Sequence, residues 1–268
     1  SKVDPGIDWF GQRLNLPIVF APVGGLEHFW ETGPLPVTQA AGEFGVAHML
    51  SSVCACDFAQ VAAASPEALK IFQLYVHGDS QWVDEIADRV IGLGFSQFCL
   101  TVDSAVYSRR ERDLAQRNIR RANVPGREWQ ARLTWNDVMR IRKRLKVPLM
   151  LKGIATAEDA RIALDHGIDV IYVSNHGGRQ LDQGQGAMEV VAMGRMQCIA
   201  LAAGGKSALV RMLELVDAEI RIAMALCGVN TLAELNPSYL CPSEPVLAPH
   251  TWGAFPLLDD SLAFQRKS

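Results

Sequence analysis

No stretch of the 268-residue chain approaches the ~18 or more consecutive apolar residues of a membrane span, and its opening Ser1-Lys-Val-Asp-Pro-Gly6 carries no apolar signal region. A soluble protein is expected, cytoplasmic in location, with peroxisomal or membrane-associated placement left open. Charge of one sign is not concentrated either: 26 basic and 29 acidic residues are interleaved to a net charge of -3. Neither a nucleic-acid stripe nor a polybasic patch is present, so nucleic acid is excluded as the expected partner and small molecules are favoured. Metal-ligand spacing is missing as well. The six cysteines (Cys54, Cys56, Cys99, Cys198, Cys227, Cys241) fall mostly in apolar runs, and Cys54-Ala-Cys56 alone is too sparse for zinc, so reduced thiols and no metal are expected. No G-x-G-x-x-G or G-x-x-x-x-G-K-[ST] element follows the first apolar run, which leaves the common nucleotide-binding folds without support.

What is present is a 49% hydrophobic chain able to bury one large core. Strand-like apolar runs begin near Pro17, Val46, Lys70, Gln97, Pro148 and Val170, with helical segments between them. Ser80 precedes an apolar helical set at Val83, Ile86, Ala87, Val90 and Ile91, with Gly92 and Gly94 available to stop it. Thr134-Trp-Asn-Asp137 opens a helix with Val138, Ile141 and Leu145 on one face, and Thr156-Ala-Glu-Asp159 opens another that stops at Gly167. Further on, Ser207–Leu226 reads as a long amphipathic helix with Leu209, Met212, Leu213, Val216, Ile220 and Ala223 inward, ended by Gly228. Runs such as Lys70-Ile-Phe-Gln-Leu-Tyr-Val76 are too continuously apolar for a half-exposed antiparallel sheet, which favours parallel strands with crossover helices.

Several of those strands end in a reactive or turn-forming residue: Ala21-Pro22-Val23-Gly24-Gly25, Leu50-Ser51-Ser52, Gln73-Leu74-Tyr75, Thr101-Val102-Asp103, Leu151-Lys152-Gly153 and Ser174-Asn175-His176. A closed parallel barrel gathers all these ends at one mouth, whereas an open sheet binds at a single switch point, so a TIM (β/α)8-type barrel is expected. The most informative stretch is Val170-Ile-Tyr-Val-Ser174-Asn175-His176-Gly177-Gly178-Arg179-Gln-Leu-Asp182. It delivers a titratable base and a permanent bidentate cation to the rim, a pair suited to a small organic anion.

The ordered series A-P-V-G, L-S-S, F-Q-L-Y, T-V-D followed by R-R-E-R-D, L-K-G and S-N-H-G-G-R-Q-L-D resembles the FMN-dependent α-hydroxy acid oxidase and dehydrogenase family, which includes glycolate oxidase, lactate oxidase and mandelate dehydrogenase. The match runs from about Asp8 to Glu234. The resemblance implies a barrel holding FMN across its mouth through the backbone of Pro22, Val23 and Gly24 and through Ser51, Gln73, Thr101, Lys152 and Ser174. Lys152 would stand near the flavin N1 and C2 carbonyl, where negative charge appears on reduction. Tyr75, Arg110 and Arg179 would bind a substrate carboxylate, His176 would act as base, and Asp103 would orient it. The implied reaction is oxidation of a small L-2-hydroxy acid to the 2-oxo acid, with dioxygen, a quinone or another carrier as final acceptor. By the same resemblance the protein would be a homo-oligomer, tetramer or octamer. Val53 stands where relatives often carry a bulky aromatic, which implies a roomier side-chain pocket.

Departures from the pattern are equally specific. After the H-G-G-R segment, relatives carry a further strand and helix and a D-G-G-x-R-x-G phosphate loop, whereas here Asp182 leads within a few residues to Ala192-Met193-Gly194-Arg195. One strand and helix unit is expected to be absent, with Gly194 and Arg195 as the surviving half of the anion cradle, and the N-terminal helical region is expected to be missing too. Either the ordered parts of a longer protein are joined end to end, or the barrel is incomplete; the first is favoured because losing one of eight staves exposes sheet edges. A barrel domain over 1–235 and a proline-broken tail over 236–268 are expected. A cofactor-poor barrel serving as a binding or scaffold protein is the alternative function. Arg179→Lys keeps the charge but loses the planar fork, so Michaelis constants for 2-hydroxy acids should rise and turnover should fall together. Unchanged kinetics would assign Arg179 a structural role.

Overall fold

The computed structural model describes residues 3–105, 126–174, 176 and 191–239. An antiparallel hairpin, β1 (Ile7–Trp9) and β2 (Gln12–Leu14), leads into β3 (Ile18–Phe20), α1 (Leu35–Phe44) and β4 (Ala47–Ser51). There follow α2 (Phe58–Ala63), β5 (Lys70–Leu74), α3 (Ser80–Gly92), β6 (Gln97–Thr101), α4 (Arg127–Ala131) and α5 (Trp135–Arg144). The described chain continues through β7 (Leu149–Ile154), α6 (Ala157–Asp165), β8 (Val170–Val173), β9 (Val191–Met193) and α7 (Arg195–Cys227). The six expected strands begin at, or one residue after, the expected positions. β1, β2 and β9 were not expected, because at three residues each they are too short for an apolar run to stand out.

Seven strands form one parallel sheet in the order β8-β7-β6-β5-β4-β3-β9. Strands consecutive in the chain are neighbours from β3 to β8. β9 then returns to pair with β3 through Ile18 and Val191, Val19 and Ala192, and Phe20 and Met193, as the last stave of a barrel pairs with the first. Among the described residues no strand joins β8 to β9. The described residues thus form the expected TIM-type barrel sheet with seven staves, and the seam between β8 and β9 falls where the sequence was expected to lack a strand and helix unit. At the two edges, Val173 and Val191 are 39% and 49% exposed.

Successive side chains of a strand point to opposite faces, so each strand contributes to two cores. Val19, Ala47, Met49, Ile71, Cys99 and Met150 form the inner one, joined by Leu14 and packed against Ile7 and Trp9 of the hairpin. The hairpin thus floors the N-terminal end of the sheet, and Trp9 Nε1 donates to Gln97 Oε1 at 3.1 Å, at the first residue of β6. Phe20, Leu50, Phe72, Phe98, Leu100, Leu149 and Leu151 form the outer core with helix residues such as Val37, Val83, Val138, Ile141, Leu209 and Leu213.

Helix ends follow local chemistry. α3 is capped by Asp79 rather than by Ser80, its carboxylate accepting from the Trp82 N–H at 2.9 Å, since a charged acceptor suits a helix N-terminus best. Thr134 and Asp137 make a reciprocal capping box for α5, and Thr156 caps α6 through the Asp159 N–H at 3.0 Å. α7 is two helices merged across a kink at Gly204 and Gly205. Gly205 sits at φ 57°, where a Cβ would lie 2.7 Å from the Trp30 ring. On its second half Leu209 and Leu213 are buried, but Met224 rather than Ala223 is the next buried position, because it continues the phase set by Ile220. No helix among the described residues is long and apolar enough to cross a membrane.

His48, on the outer face of β4, is buried beneath α1 with Nδ1 2.8 Å from Thr38 Oγ1. That hydroxyl already donates to the Pro34 carbonyl at 3.3 Å, so Nδ1–H must be the donor and Nε2 keeps a buried lone pair without a partner. Burial, reinforced by the Lys70 ammonium, pushes the ring down to about 3 from an ordinary 6.5. Between those values the unfolded chain binds a proton that the fold refuses. Stability from this site is complete above pH 6.5 and is lost as pH falls toward 3, on the order of 5 kcal/mol in all. His48→Asn keeps a donor for Thr38 without the titration, so its urea midpoint should fall less steeply than the parent's across this interval. Parallel curves would place the acid limb elsewhere.

Candidate active site

The upper layer of the sheet interior is polar. Ser51, Gln73, Thr101 and Lys152 stand at or near the C-terminal ends of β4, β5, β6 and β7, on the same face as Met49, Ile71, Cys99 and Met150, and all four are buried. Their hydrogen bonds run around the rim: Ser51 Oγ donates to Gln73 Oε1 at 2.8 Å, and Gln73 Nε2 donates to Thr101 Oγ1 at 2.7 Å. Lys152 is 5% exposed, and its ammonium lies 3.7 Å from Asp103 Oδ2 and 5.5 Å from the centre of the Tyr172 ring. A buried cation of this kind persists only with partners.

His176 stands just past β8, in the left-handed region at φ 61°, a conformation that costs a non-glycine residue roughly 1–3 kcal/mol. Ser174 helps to hold it there, its Oγ accepting from the His176 N–H at 3.0 Å. Nδ1 of the ring is 3.1 Å from both Asp103 oxygens, and Nε2 is 3.1 Å from the Tyr75 hydroxyl. Burial alone would raise the Asp103 carboxyl, but the His176 hydrogen bond, the Lys152 ammonium and the Ser104 hydroxyl together hold it below the usual carboxylate value. An ionised carboxylate can only accept, so Nδ1 carries the proton, Nε2 presents its lone pair, and Tyr75 donates to it.

Gly153 makes this closeness possible. The β7–β8 register shifts between Lys152 and Ile154, Gly153 takes φ 108°, and a Cβ there would lie 2.5 Å from the Asp103 Cβ. Beside the rim run Pro22, Val23 and Gly24; the Val23 carbonyl accepts from Cys54 Sγ at 3.2 Å, and Gly24 lies against Val53. Gly194 is the N-cap of α7, with no side-chain cap bond, and Arg195 follows it. Arg110 and Arg179 lie outside the described residues. Sequence reasoning missed Gln130, a buried residue of α4 whose amide bonds the Val76 N–H and the Thr101 carbonyl, and Gln197, whose Nε2 donates to the Ala21 carbonyl at 3.0 Å. Among the described residues no group of three or more His, Cys, Asp or Glu side chains is placed to hold a metal.

The FMN-dependent dehydrogenase family model matches residues 1–192 and 185–242. The chain belongs to that family. Similar FMN-dependent dehydrogenase relatives include 2-hydroxyacid oxidase 2 of Homo sapiens, 30% identical over 88% of this chain and 82% of that protein, and L-lactate dehydrogenase of Caulobacter vibrioides, 30% identical over 91% and 85%. Among solved structures, mandelate oxidase aligns with a TM-score of 0.78 at 30% identity, over 87% of this chain and 81% of its own. The flavin-binding domain of baker's yeast flavocytochrome b2 aligns with a TM-score of 0.82 at 25% identity, over 88% and 72%. The two segments of the family match overlap at 185–192, which runs into the start of β9, beside the seam.

FMN is the cofactor of this family, and the rim fits it. The buried Lys152 ammonium, the hydroxyls of Ser51 and Thr101, the Gln73 amide and the side-chain-free Gly24 form a donor-rich face for a flat heterocycle. The first turn of α7, uncapped by a side chain and without an acidic residue, offers N–H groups to a phosphate. Gly153→Ala tests the close packing beneath this rim. It must meet both a disallowed φ and the Asp103 side chain, so it should lower stability in urea unfolding by roughly 3 kcal/mol or more. The control is Gly167→Ala, at φ 70° with no neighbour within 4 Å, which should cost about 1 kcal/mol. Equal losses would show that Gly153 serves only its own backbone.

Proposed function

We propose that this protein oxidises a small L-2-hydroxy acid to the corresponding 2-oxo acid, with His176 as the base. The observation that carries the reading is the setting of the ring: Nδ1 lies 3.1 Å from both oxygens of a carboxylate held in its ionised form, and Nε2 lies 3.1 Å from the Tyr75 hydroxyl, so a ring that donates through Nδ1 turns its Nε2 lone pair outward. Nε2 then takes a proton from the substrate, and the Asp103 carboxylate stabilises the imidazolium that forms. When bound, FMN supplies the acceptor for the substrate's electron pair. Lys152 contributes a fixed positive charge at the rim, and Arg110 and Arg179 hold the substrate carboxylate bidentately, a role supported by the family resemblance. Tyr75 exchanges its bond to Nε2 for one to the substrate. The FMN-binding groups Ser51, Gln73, Thr101 and Ser174, the Pro22–Gly24 backbone, Gly194 and Arg195 complete the site, and dioxygen, a quinone or another carrier regenerates the flavin. A cytoplasmic homo-oligomer with a tail over 236–268 remains part of the proposal. No observation among the described residues favours the alternative of a cofactor-poor scaffold.

His176→Gln preserves volume and a polar tip while removing the base. Mixed anaerobically with 2-hydroxy acid, the variant should still perturb the flavin spectrum on binding, yet bleach about 10²–10⁴ times more slowly than the parent. Bleaching at the parent rate would reject His176 as the base.

A further inference from the structure

We infer that Gln130 is a positioning residue that holds the two partners of His176 in register across the end of the sheet. The parallel pairing of β5 with β6 ends at Leu74 and Leu100. Beyond that point the strand extensions carrying Tyr75 and Asp103 have no ladder between them, yet these residues must grip opposite nitrogens of one imidazole. Gln130 bridges the gap: its Oε1 accepts from the Val76 N–H at 2.7 Å, and its Nε2 donates to the Thr101 carbonyl at 2.7 Å. Val76 follows Tyr75 directly, and Thr101 lies two residues before Asp103 while its hydroxyl accepts from Gln73. The bridging side chain is 4% exposed. Its helix is seated closely, for at Gly126, the N-cap of α4, a Cβ would stand 2.4 Å from the His77 carbonyl oxygen. An amide donates at one end and accepts at the other without titrating, which is why the residue type matters.

The inference rests on the reading of His176 as base, and its test separates the two. Gln130→Met keeps the length and burial of the side chain but removes both bonds. In FMN-loaded protein, flavin reduction at saturating 2-hydroxy acid should slow about 10–100-fold while flavin content and half-saturating substrate stay near the parent. Long-range ¹H–¹⁵N spectra of the neutral His176 ring provide a readout independent of turnover: the parent should hold the proton on Nδ1, and the variant should average over both nitrogens. Ala131→Gly weakens α4 without touching the amide, so its spectrum should match the parent. A parent-like tautomer and rate in Gln130→Met would overturn the proposal, and so would equal tautomer averaging in Ala131→Gly. Gln130→Leu replaces the methionine variant if that does not fold; failure of both to fold where Ala131→Gly folds would make Gln130 purely structural and overturn the proposal. If His176→Gln reduces flavin normally, the base assignment fails, while the spectra still decide the role of Gln130.

Discussion

The bond from His176 Nδ1–H to the Asp103 carboxylate is the constraint on which the rim depends. It selects the tautomer, and through the tautomer it decides that the second ring nitrogen faces outward as an acceptor. Each neighbouring feature serves that bond. Gly153 lacks a side chain so that β7 can approach Asp103, Ser104 donates to the carboxylate at 3.2 Å, and Ser174 braces the left-handed backbone of the histidine. The His176 hydrogen bond and the Lys152 ammonium together hold the carboxyl below its usual value despite its burial. Remove the acid, and Lys152 becomes a buried cation facing a ring of undefined protonation.

Such a rim is locally unfavourable, with a strained histidine and a desolvated ion pair side by side. It is tolerated because the layers beneath are rigid. Close-packed residues from Val19 to Met150 fill the interior, and phenylalanines and leucines lock the outer face against helices. Strand ends set on such a foundation have little freedom to relax, so polar groups stay where the backbone puts them. Among the described residues no strand joins β8 to β9, whereas the hydrogen-bonded Ser51, Gln73 and Thr101, with Lys152 beyond them, lie on β4 to β7, which keep both neighbours.

Much of this was legible in the amino-acid order because parallel strands announce themselves as unbroken apolar runs. Each of the six expected runs begins within a residue of its strand, and the polar residues that close β4 to β7 sit on the rim. His176 and Asp103 could be paired from sequence only through the family pattern, since no local periodicity links residues 73 positions apart. Gln130 was invisible for a different reason: Arg127-Glu-Trp-Gln130-Ala reads as a short polar helix, and its amide acts on backbone groups, which leave no trace in side-chain chemistry. The hairpin escaped notice because its residues bury themselves against an interior that exists only once the sheet has curled. Arg110 and Arg179 lie beyond the described residues.

That hairpin also governs traffic. With Trp9 tied to Gln97 and the inner cluster filled down to Leu14, the axis of the sheet is stoppered at its N-terminal end. Among the described residues the axis is therefore closed to small molecules from that end, and the polar rim is reached from the opposite side or through the seam between β8 and β9.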